Sequence, residues 1–255
     1  MLALLKKSIM NTILNSYQIE AIRKADSLIV DLSDTIVKGN VLYGAFYLVK
    51  ERAKKGKFLD ALKLAANGIR IFAVNHLKRF SDEWGSGNHT IEDVYECCDK
   101  YGIKRKEVEK ASRKYIESRL SQIPGVKSCL RTLKNFGEKK ETTLITREPP
   151  ECAEVAMDYF GLDECISNKS RLNKDGTING IQIVMKKPED KLRLLQEKLK
   201  EHGLELGNAI MITDNPEDSD LFKGKVGVFV TYRNKRGEIN INNYREFERQ
   251  LINSD

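Results

Sequence analysis

Four short apolar runs constrain this chain more than any other feature. They lie around residues 28–31, 142–146, 209–214 and 226–231, and the first three end in Asp31, Thr146 and Asp214. Runs of this length without polar alternation are typical of strands that are buried on both faces of a parallel sheet. Segments with helical spacing separate the runs, and strands that alternate with helices indicate a parallel sheet covered by helices on both faces. The sequence therefore predicts an α/β fold.

The long interval between the first two strands is predicted to be an all-helical insert. Residues 37–122 show no strand pattern, and apolar residues such as Leu42, Phe46 and Val49 recur at helical intervals. An insert of about eighty residues is too long for a loop and suits a small subdomain. Within it, the polar stretch 85–90 is expected to form a loop. The chain is thus divided into a core of residues 1–36 and 123–255, with an extra N-terminal helix in 1–25, and an insert at 37–122.

Charge and cysteine content narrow the class of protein. The net charge is +7, and residues 37–122 hold 18 basic and 11 acidic residues, so the whole surplus lies in the insert. This favours an anionic partner there, although a solvated helical surface is the commoner meaning of a charge run. No apolar run reaches the roughly 20 residues that span a membrane, and no membrane partner is expected. Five cysteines without a C-x-x-C pair predict reduced thiols and a cytoplasmic location.

Polar side chains at the ends of three strands are expected to meet. The carboxyl ends of parallel strands share one edge of the sheet, so Asp31, Thr146 and Asp214 can converge there. Lys191, near the start of a predicted helix, and Asp218, one helical turn after Asp214, can point to the same place. Carboxylates without His or Cys suit Mg²⁺. Such a site allows a free carboxylate to attack phosphorus while cation, lysine and hydroxyl neutralise charge on the phosphoryl oxygens.

An alternative remains open from the residues alone. Asp31 and the nearby Asp34 can serve only as turn formers or helix caps, because aspartate often has these roles.

Four motifs in order resemble those of the haloacid dehalogenase superfamily, most closely its phosphoserine-phosphatase-like branch. They are IVDLSDT, TLITR, the lysine of KLRLLQEKL and MITDNPED. The resemblance implies a three-layer Rossmann-like parallel sheet core, and it implies that the helical insert is a cap domain. It also implies a cofactor, Mg²⁺.

The resemblance assigns roles residue by residue. Asp31 matches the nucleophile and a Mg²⁺ ligand, and Thr146 matches the hydroxyl that binds phosphate. Lys191 matches the lysine that holds nucleophile and phosphate together, with Lys186 and Lys187 as rival candidates. The remaining matches are the metal ligands Asp214, Asp218 and, through its backbone carbonyl, Ser33.

Position 33 departs from the family pattern. Most phosphatases of this family have Asp there, which protonates the leaving group and later activates water, and this assistance is typically worth about a hundred- to ten-thousand-fold. Ser33 cannot supply it at neutral pH, so Ser33→Asp is expected to raise turnover. Asp34 is a second carboxylate nearby, but its side chain should point elsewhere if the turn keeps the family geometry.

The function predicted from the sequence is that of a Mg²⁺-dependent phosphohydrolase or phosphotransferase acting on a small phosphorylated metabolite. The alternative is a catalytically weak or inactive phosphate-binding or regulatory protein with the same fold, and the loss of the second Asp supports it. Nucleic-acid binding ranks lower, since the insert has no recognisable aromatic and basic module. A dehalogenase is disfavoured by Asp214 and by Ser33.

Overall fold

The computed structural model describes residues 14–38, 45–78, 83–233 and 236–254. Its strands are β1 (Ser27–Asp31), β2 (Glu141–Ile145), β3 (Glu164–Ile166), β4 (Lys169–Leu172), β5 (Ile178–Gln182), β6 (Ala209–Thr213), β7 (Val228–Tyr232) and β8 (Ile239–Ile241). Its α-helices are α1 (Ser16–Lys24), α2 (Ala45–Lys54), α3 (Phe58–Lys78), α4 (Glu83–Lys100), α5 (Arg105–Arg119), α6 (Val126–Asn135), α7 (Pro150–Phe160), α8 (Pro188–Glu201), α9 (Pro216–Phe222) and α10 (Tyr244–Ile252).

A parallel sheet of six strands forms the centre, in the order β3-β2-β1-β6-β7-β8. All five residues of β1 are buried, because successive side chains enter opposite layers. Leu28 and Val30 pack with α6, α7 and α10 on one face, whereas Ile29 packs with α8 and α9 on the other. The predicted three-layer α/β core is confirmed.

Local sequence explains how the helices next to the sheet begin and end. The buried residues Val126, Cys129, Leu130 and Leu133 of α6 recur at helical spacing and form one apolar face. The chain leaves this helix at Gly137, which has a φ of +75° and lies so close to Arg23 that a Cβ would come within 2.5 Å of its carbonyl oxygen. Only glycine fits there without a shift of the backbone.

Helices α2 to α5 form the insert between β1 and β2, and they have a small core of their own. Leu48, Leu64, Ile91 and Tyr95 pack there together with Ile178 and Ile181 of β5. No strand occurs in the described residues of 45–122, as predicted. The prediction of a loop at residues 85–90 is wrong, because α4 includes these residues.

The antiparallel hairpin of β4 and β5 is confirmed, and it also contacts the insert. The backbone N–H of Arg105 donates to the carbonyl of Gly176, and that of Ile178 donates to the carbonyl of Ile103. The strand β8, which pairs with β7, was not predicted. Within the described residues, no helix combines the length and apolar character needed to cross a bilayer.

Candidate active site

The strand register brings the predicted residues to one edge of the sheet. Asp31 pairs with Ile145, the last residue of β2, so Thr146 follows immediately after that strand beside Asp31. On the other side Val30 pairs with Ile212, which places Asp31 next to Thr213 and close to Asp214. Three strand ends that are distant in the sequence are therefore neighbours, as the sequence predicted.

Lys191 joins two of the carboxylates in a buried ion cluster. Its Nζ donates to Asp31 Oδ1 at 3.0 Å and to Asp218 Oδ2 at 2.6 Å, and the Thr213 hydroxyl donates to the same Asp218 oxygen at 2.8 Å. All of these side chains are buried. Burial alone would lower the pKa of Lys191, but Asp218 and Asp31 outweigh it and raise that pKa, so the ammonium stays charged.

Thr35 connects Asp31 with Asp214. The Thr35 hydroxyl donates a hydrogen bond to Asp214 Oδ1 at 2.6 Å and lies 3.4 Å from Asp31 Oδ2. The same hydroxyl oxygen accepts a hydrogen bond from the backbone N–H of Asp214 at 2.9 Å. The Tyr244 hydroxyl donates to the Thr35 carbonyl at 3.1 Å and fixes the loop. The pKa of Asp214 is raised to about 7, chiefly by burial and also by the negative charges of Asp31 and Asp34. The hydrogen bond from Thr35 lowers this pKa but does not cancel the rise.

The donor set fits a hard divalent cation. The ammonium of Lys191 contacts two carboxylates, Asp31 and Asp218, and the third, Asp214, is linked to Asp31 through the Thr35 hydroxyl. Burial and the neighbouring Asp218 also raise the pKa of Asp31, partly offset by Lys191. The cluster thus has an excess of negative charge that Mg²⁺ would neutralise, and its oxygen ligands are those that Mg²⁺ prefers.

Ser33 faces a carboxylate that the sequence did not single out. Its hydroxyl donates to Glu148 Oε1 at 2.6 Å, and the backbone N–H of Glu148 donates to the Thr146 hydroxyl at 3.2 Å. Glu148 is 6% exposed. It stands three residues after the end of β2 and two after Thr146, so a second polar residue in the loop after Thr146 was the signal in the sequence that could have found it.

The other nearby candidates are more exposed than the residues of this cluster. Asp34 has a φ of +57° and pairs with Lys38 Nζ at 2.6 Å, with about two fifths of its side chain exposed. Lys186 and Lys187 are exposed. The six predicted site residues thus lie at one sheet edge, and Thr35 and Glu148 are the members that sequence reasoning missed.

Comparison with known proteins agrees with the fold and the motif order. A family model described as haloacid dehalogenase-like hydrolase matches residues 25–224. No curated protein sequence matches the chain.

Several solved structures share the fold. A phospho-aspartyl intermediate analogue of phosphoserine phosphatase is 15% identical, with 89% of this chain and 98% of that chain covered and a TM-score of 0.61. A substrate-bound phosphoserine phosphatase complex is 16% identical, with the same coverage and a TM-score of 0.59. A probable phosphoserine phosphatase from Vibrio cholerae is 10% identical, with 92% and 67% covered and a TM-score of 0.63.

At such identities the structural matches establish the fold, and the predicted resemblance to the phosphoserine-phosphatase-like branch is confirmed at that level. The family model adds sequence evidence over most of the chain, from before β1 to the end of α9. The protein therefore belongs to the haloacid dehalogenase-like hydrolases.

Proposed function

We propose that this protein is a Mg²⁺-dependent phosphohydrolase or phosphotransferase that acts on a small phosphorylated metabolite through Asp31. The observation that carries the proposal is the buried cluster in which Lys191 bonds both Asp31 and Asp218 at the sheet edge. A lysine held between a carboxylate nucleophile and a second acid can keep the nucleophile ionised and can bind a phosphoryl oxygen. The family and the phosphoserine phosphatase fold give independent support.

The proposed reaction has two steps on Asp31. Its carboxylate attacks phosphorus, the bond from phosphorus to the leaving oxygen breaks, and an aspartyl phosphate forms. Water or another acceptor then takes the phosphoryl group and restores the carboxylate. Thr146 and Lys191 hold the phosphoryl oxygens, and Asp218 positions Lys191.

Asp31, Asp214 and the backbone carbonyl of Ser33 are the groups that we propose to hold Mg²⁺, with Asp218 as a further acidic ligand. When bound, the ion would add positive charge beside the phosphoryl oxygens.

Glu148 is proposed to replace the missing second aspartate. The leaving oxygen needs a proton, and the attacking water must lose one. Ser33 occupies the position of the usual acid, and its hydroxyl bonds Glu148, so the pair places a carboxylate one hydrogen bond from that position. Glu148 would act directly or through the Ser33 hydroxyl.

The insert is proposed to be a cap domain, with the boundaries 37–122 predicted from the sequence, that selects the substrate. Support comes from its helix α5, where the Tyr115 hydroxyl donates to the Lys38 carbonyl just after the nucleophile loop at 3.0 Å. Arg119 lies 5.4 Å from the Tyr115 ring centroid, so a cation of the insert is near the same loop. Closure of such an element over a site excludes water from the reaction.

Hydrolysis of p-nitrophenyl phosphate with and without Mg²⁺ tests the proposal. We expect Asp31→Asn to abolish release and Lys191→Met to reduce it at least a hundredfold, because each removes a member of the reacting cluster. Lys187→Met, at an exposed rival lysine, is the matched control and should keep full activity. Wild-type protein that releases no phosphate from p-nitrophenyl phosphate or from a panel of metabolite phosphates would contradict the proposal.

The second candidate is a phosphate-binding or regulatory protein without turnover. Ser33 supports it, because a hydroxyl already bonded to Glu148 is a poor proton donor compared with a carboxylic acid. Binding of Mg²⁺ and beryllofluoride without hydrolysis of any substrate would favour this candidate. A cytoplasmic location stays a prediction.

A further inference from the structure

Helix α3 of the insert exposes a continuous apolar stripe. Among the described residues, seven large apolar side chains are exposed to solvent, and four of them belong to α3: Phe58, Leu59, Leu62 and Ile69, each between 64% and 73% exposed. Phe58, Leu62 and Ile69 are spaced four and seven residues apart, so they lie on one side of the helix, with Leu59 beside them. The stripe is about 16 Å long at the rise of an α-helix.

The packing of α3 does not require these residues. Ala61 and Leu64 are buried on the other side of the helix, and Leu64 belongs to the insert core with Leu48 and Tyr95. The helix is therefore apolar on two sides, of which one is already covered. Apolar side chains that are clustered in this way, rather than scattered, mark a surface that contacts a partner.

Lysines lie at the N-terminal end of the stripe and beside it. Lys54 and Lys55, just before α3, remain 62% and 55% exposed although they pair with Glu51 and Glu107. Lys57 and Lys63 are exposed as well. The only acidic residue in the sequence of α3 is Asp60, which lies on the side of the helix away from the stripe.

The lysines next to the apolar stripe favour an anionic bilayer over a second copy of this chain as the partner. In a complex with a second copy of this chain, two stripes and their lysines would face each other, and the like charges would oppose association. An anionic bilayer offers the opposite charge together with apolar acyl chains. An amphipathic helix lies flat on such a surface, with its apolar residues at the acyl boundary and its lysines among the headgroups.

We propose that the exposed stripe of α3 and its lysines form a docking surface for anionic phospholipid bilayers. The protein would bind as a peripheral protein, which departs from the expectation from the sequence that it has no membrane partner. The proposal depends on neither Asp31 nor the site at the sheet edge, so it stands or falls separately from the proposed phosphatase activity.

Cosedimentation of the full chain with vesicles tests the surface. We expect binding to vesicles of phosphatidylcholine with phosphatidylglycerol, no binding to phosphatidylcholine alone, and release as salt is raised. Leu62→Gln/Ile69→Gln should weaken binding by about tenfold or more, since two apolar side chains lose their contact with the acyl region. Lys57→Gln/Lys63→Gln should weaken it by a similar factor.

Ile252→Gln is the matched control, because Ile252 is 58% exposed but lies on α10 of the core. Its binding should equal that of the wild type, and circular dichroism should show that every variant is folded. Wild-type protein that stays in the supernatant with anionic vesicles would overturn the proposal. So would α3 variants that bind normally, or self-association in the absence of lipid that the Leu62→Gln/Ile69→Gln change abolishes.

Discussion

At the residue scale, the contact between Ser33 and Glu148 changes what a mutation at position 33 should do. The two side chains meet at 2.6 Å, and Glu148 is buried. Aspartate at position 33 would place a second carboxylate against the first, and like charges at this distance oppose each other. The gain in turnover that the sequence led us to expect from Ser33→Asp therefore requires a change at Glu148 as well.

A double-mutant cycle tests this coupling. We expect Glu148→Gln to lower the kcat for p-nitrophenyl phosphate by about a hundredfold, the lower range for loss of an acid–base group. Ser33→Asp alone should also lower it, whereas Ser33→Asp/Glu148→Gln should regain most of the wild-type rate, because one carboxylate is present in both cases. If Ser33→Asp alone is faster than the wild type and Glu148→Gln is neutral, the acid–base role of Glu148 is excluded.

The sequence could identify most of this site but not the Glu148 contact. Asp31, Thr146 and Asp214 each end an apolar run, and the ends of parallel strands meet by geometry. The contact between Ser33 and Glu148 depends on loop conformations in two segments that are 115 residues apart. No local pattern encodes such a contact, although the loop after Thr146 was the place to search.

At the scale of elements, a buried polar cluster joins the insert to the core. Glu151 at the start of α7 accepts hydrogen bonds from Tyr95 of α4 and from Ser170 of β4, and it is fully buried. Burial raises the pKa of Tyr95 far above its usual value, and the Glu151 carboxylate raises it further, so the hydroxyl remains a donor. Three elements thus depend on one carboxylate.

Removal of one donor from this cluster should be costly. We expect Tyr95→Phe to lower the free energy of unfolding by about 1–3 kcal/mol, because a buried carboxylate loses one of its hydrogen bonds. Tyr101→Phe is the control within the same insert, since that hydroxyl accepts from Asn67 in a partly exposed setting, and its effect should be smaller. Urea denaturation measures the free energy of unfolding of both variants. Equal losses would mean that the Glu151 cluster stabilises the protein no more than the partly exposed hydrogen bond of Tyr101.

Two elements escaped prediction for physical reasons. Residues 85–90 contain two glycines and an asparagine, which have low helix propensity, yet they lie within α4, so propensity alone is a weak guide there. Strand β8 has only three residues, with Asn240 between two isoleucines, and a strand so short gives no period to detect.

At the scale of the whole molecule, the alternation of strands and helices was sufficient for the fold class, because buried parallel strands are apolar throughout. The pattern of apolar residues was insufficient, however, to predict which side chains of α3 are exposed. Phe58, Leu62 and Ile69 read as core residues at helical spacing, and only their exposure separates them from Ala61 and Leu64.

The charge excess at the sheet edge should make the stability of the whole protein depend on Mg²⁺. We expect the thermal midpoint to rise with Mg²⁺, since a ligand at 100 times its Kd stabilises the native state by about 2.7 kcal/mol. Asp214→Asn should raise the midpoint of the metal-free protein, because it removes a half-buried charge beside Asp31, and it should diminish the response to Mg²⁺.

Differential scanning fluorimetry with Mg²⁺ and with chelator measures both effects. Glu189→Gln is a suitable control, because this acid is exposed at the start of α8 and should leave the response unchanged. A midpoint of the wild type that is indifferent to Mg²⁺ would contradict the assignment of a cation site.

The backbone pairing between the β4–β5 hairpin and the segment around Lys104 adds a further anchorage of the insert to its two covalent connections and the Glu151 cluster. Hydrogen bonds at 3.0 Å and 2.9 Å bind residues 103–105 to residues 176–178. Any swing of the four helices must therefore carry the hairpin with it or release both bonds. The natural moving body is composite, made from two stretches of the polypeptide that are separated by helix α6, strand β2, helix α7 and strand β3.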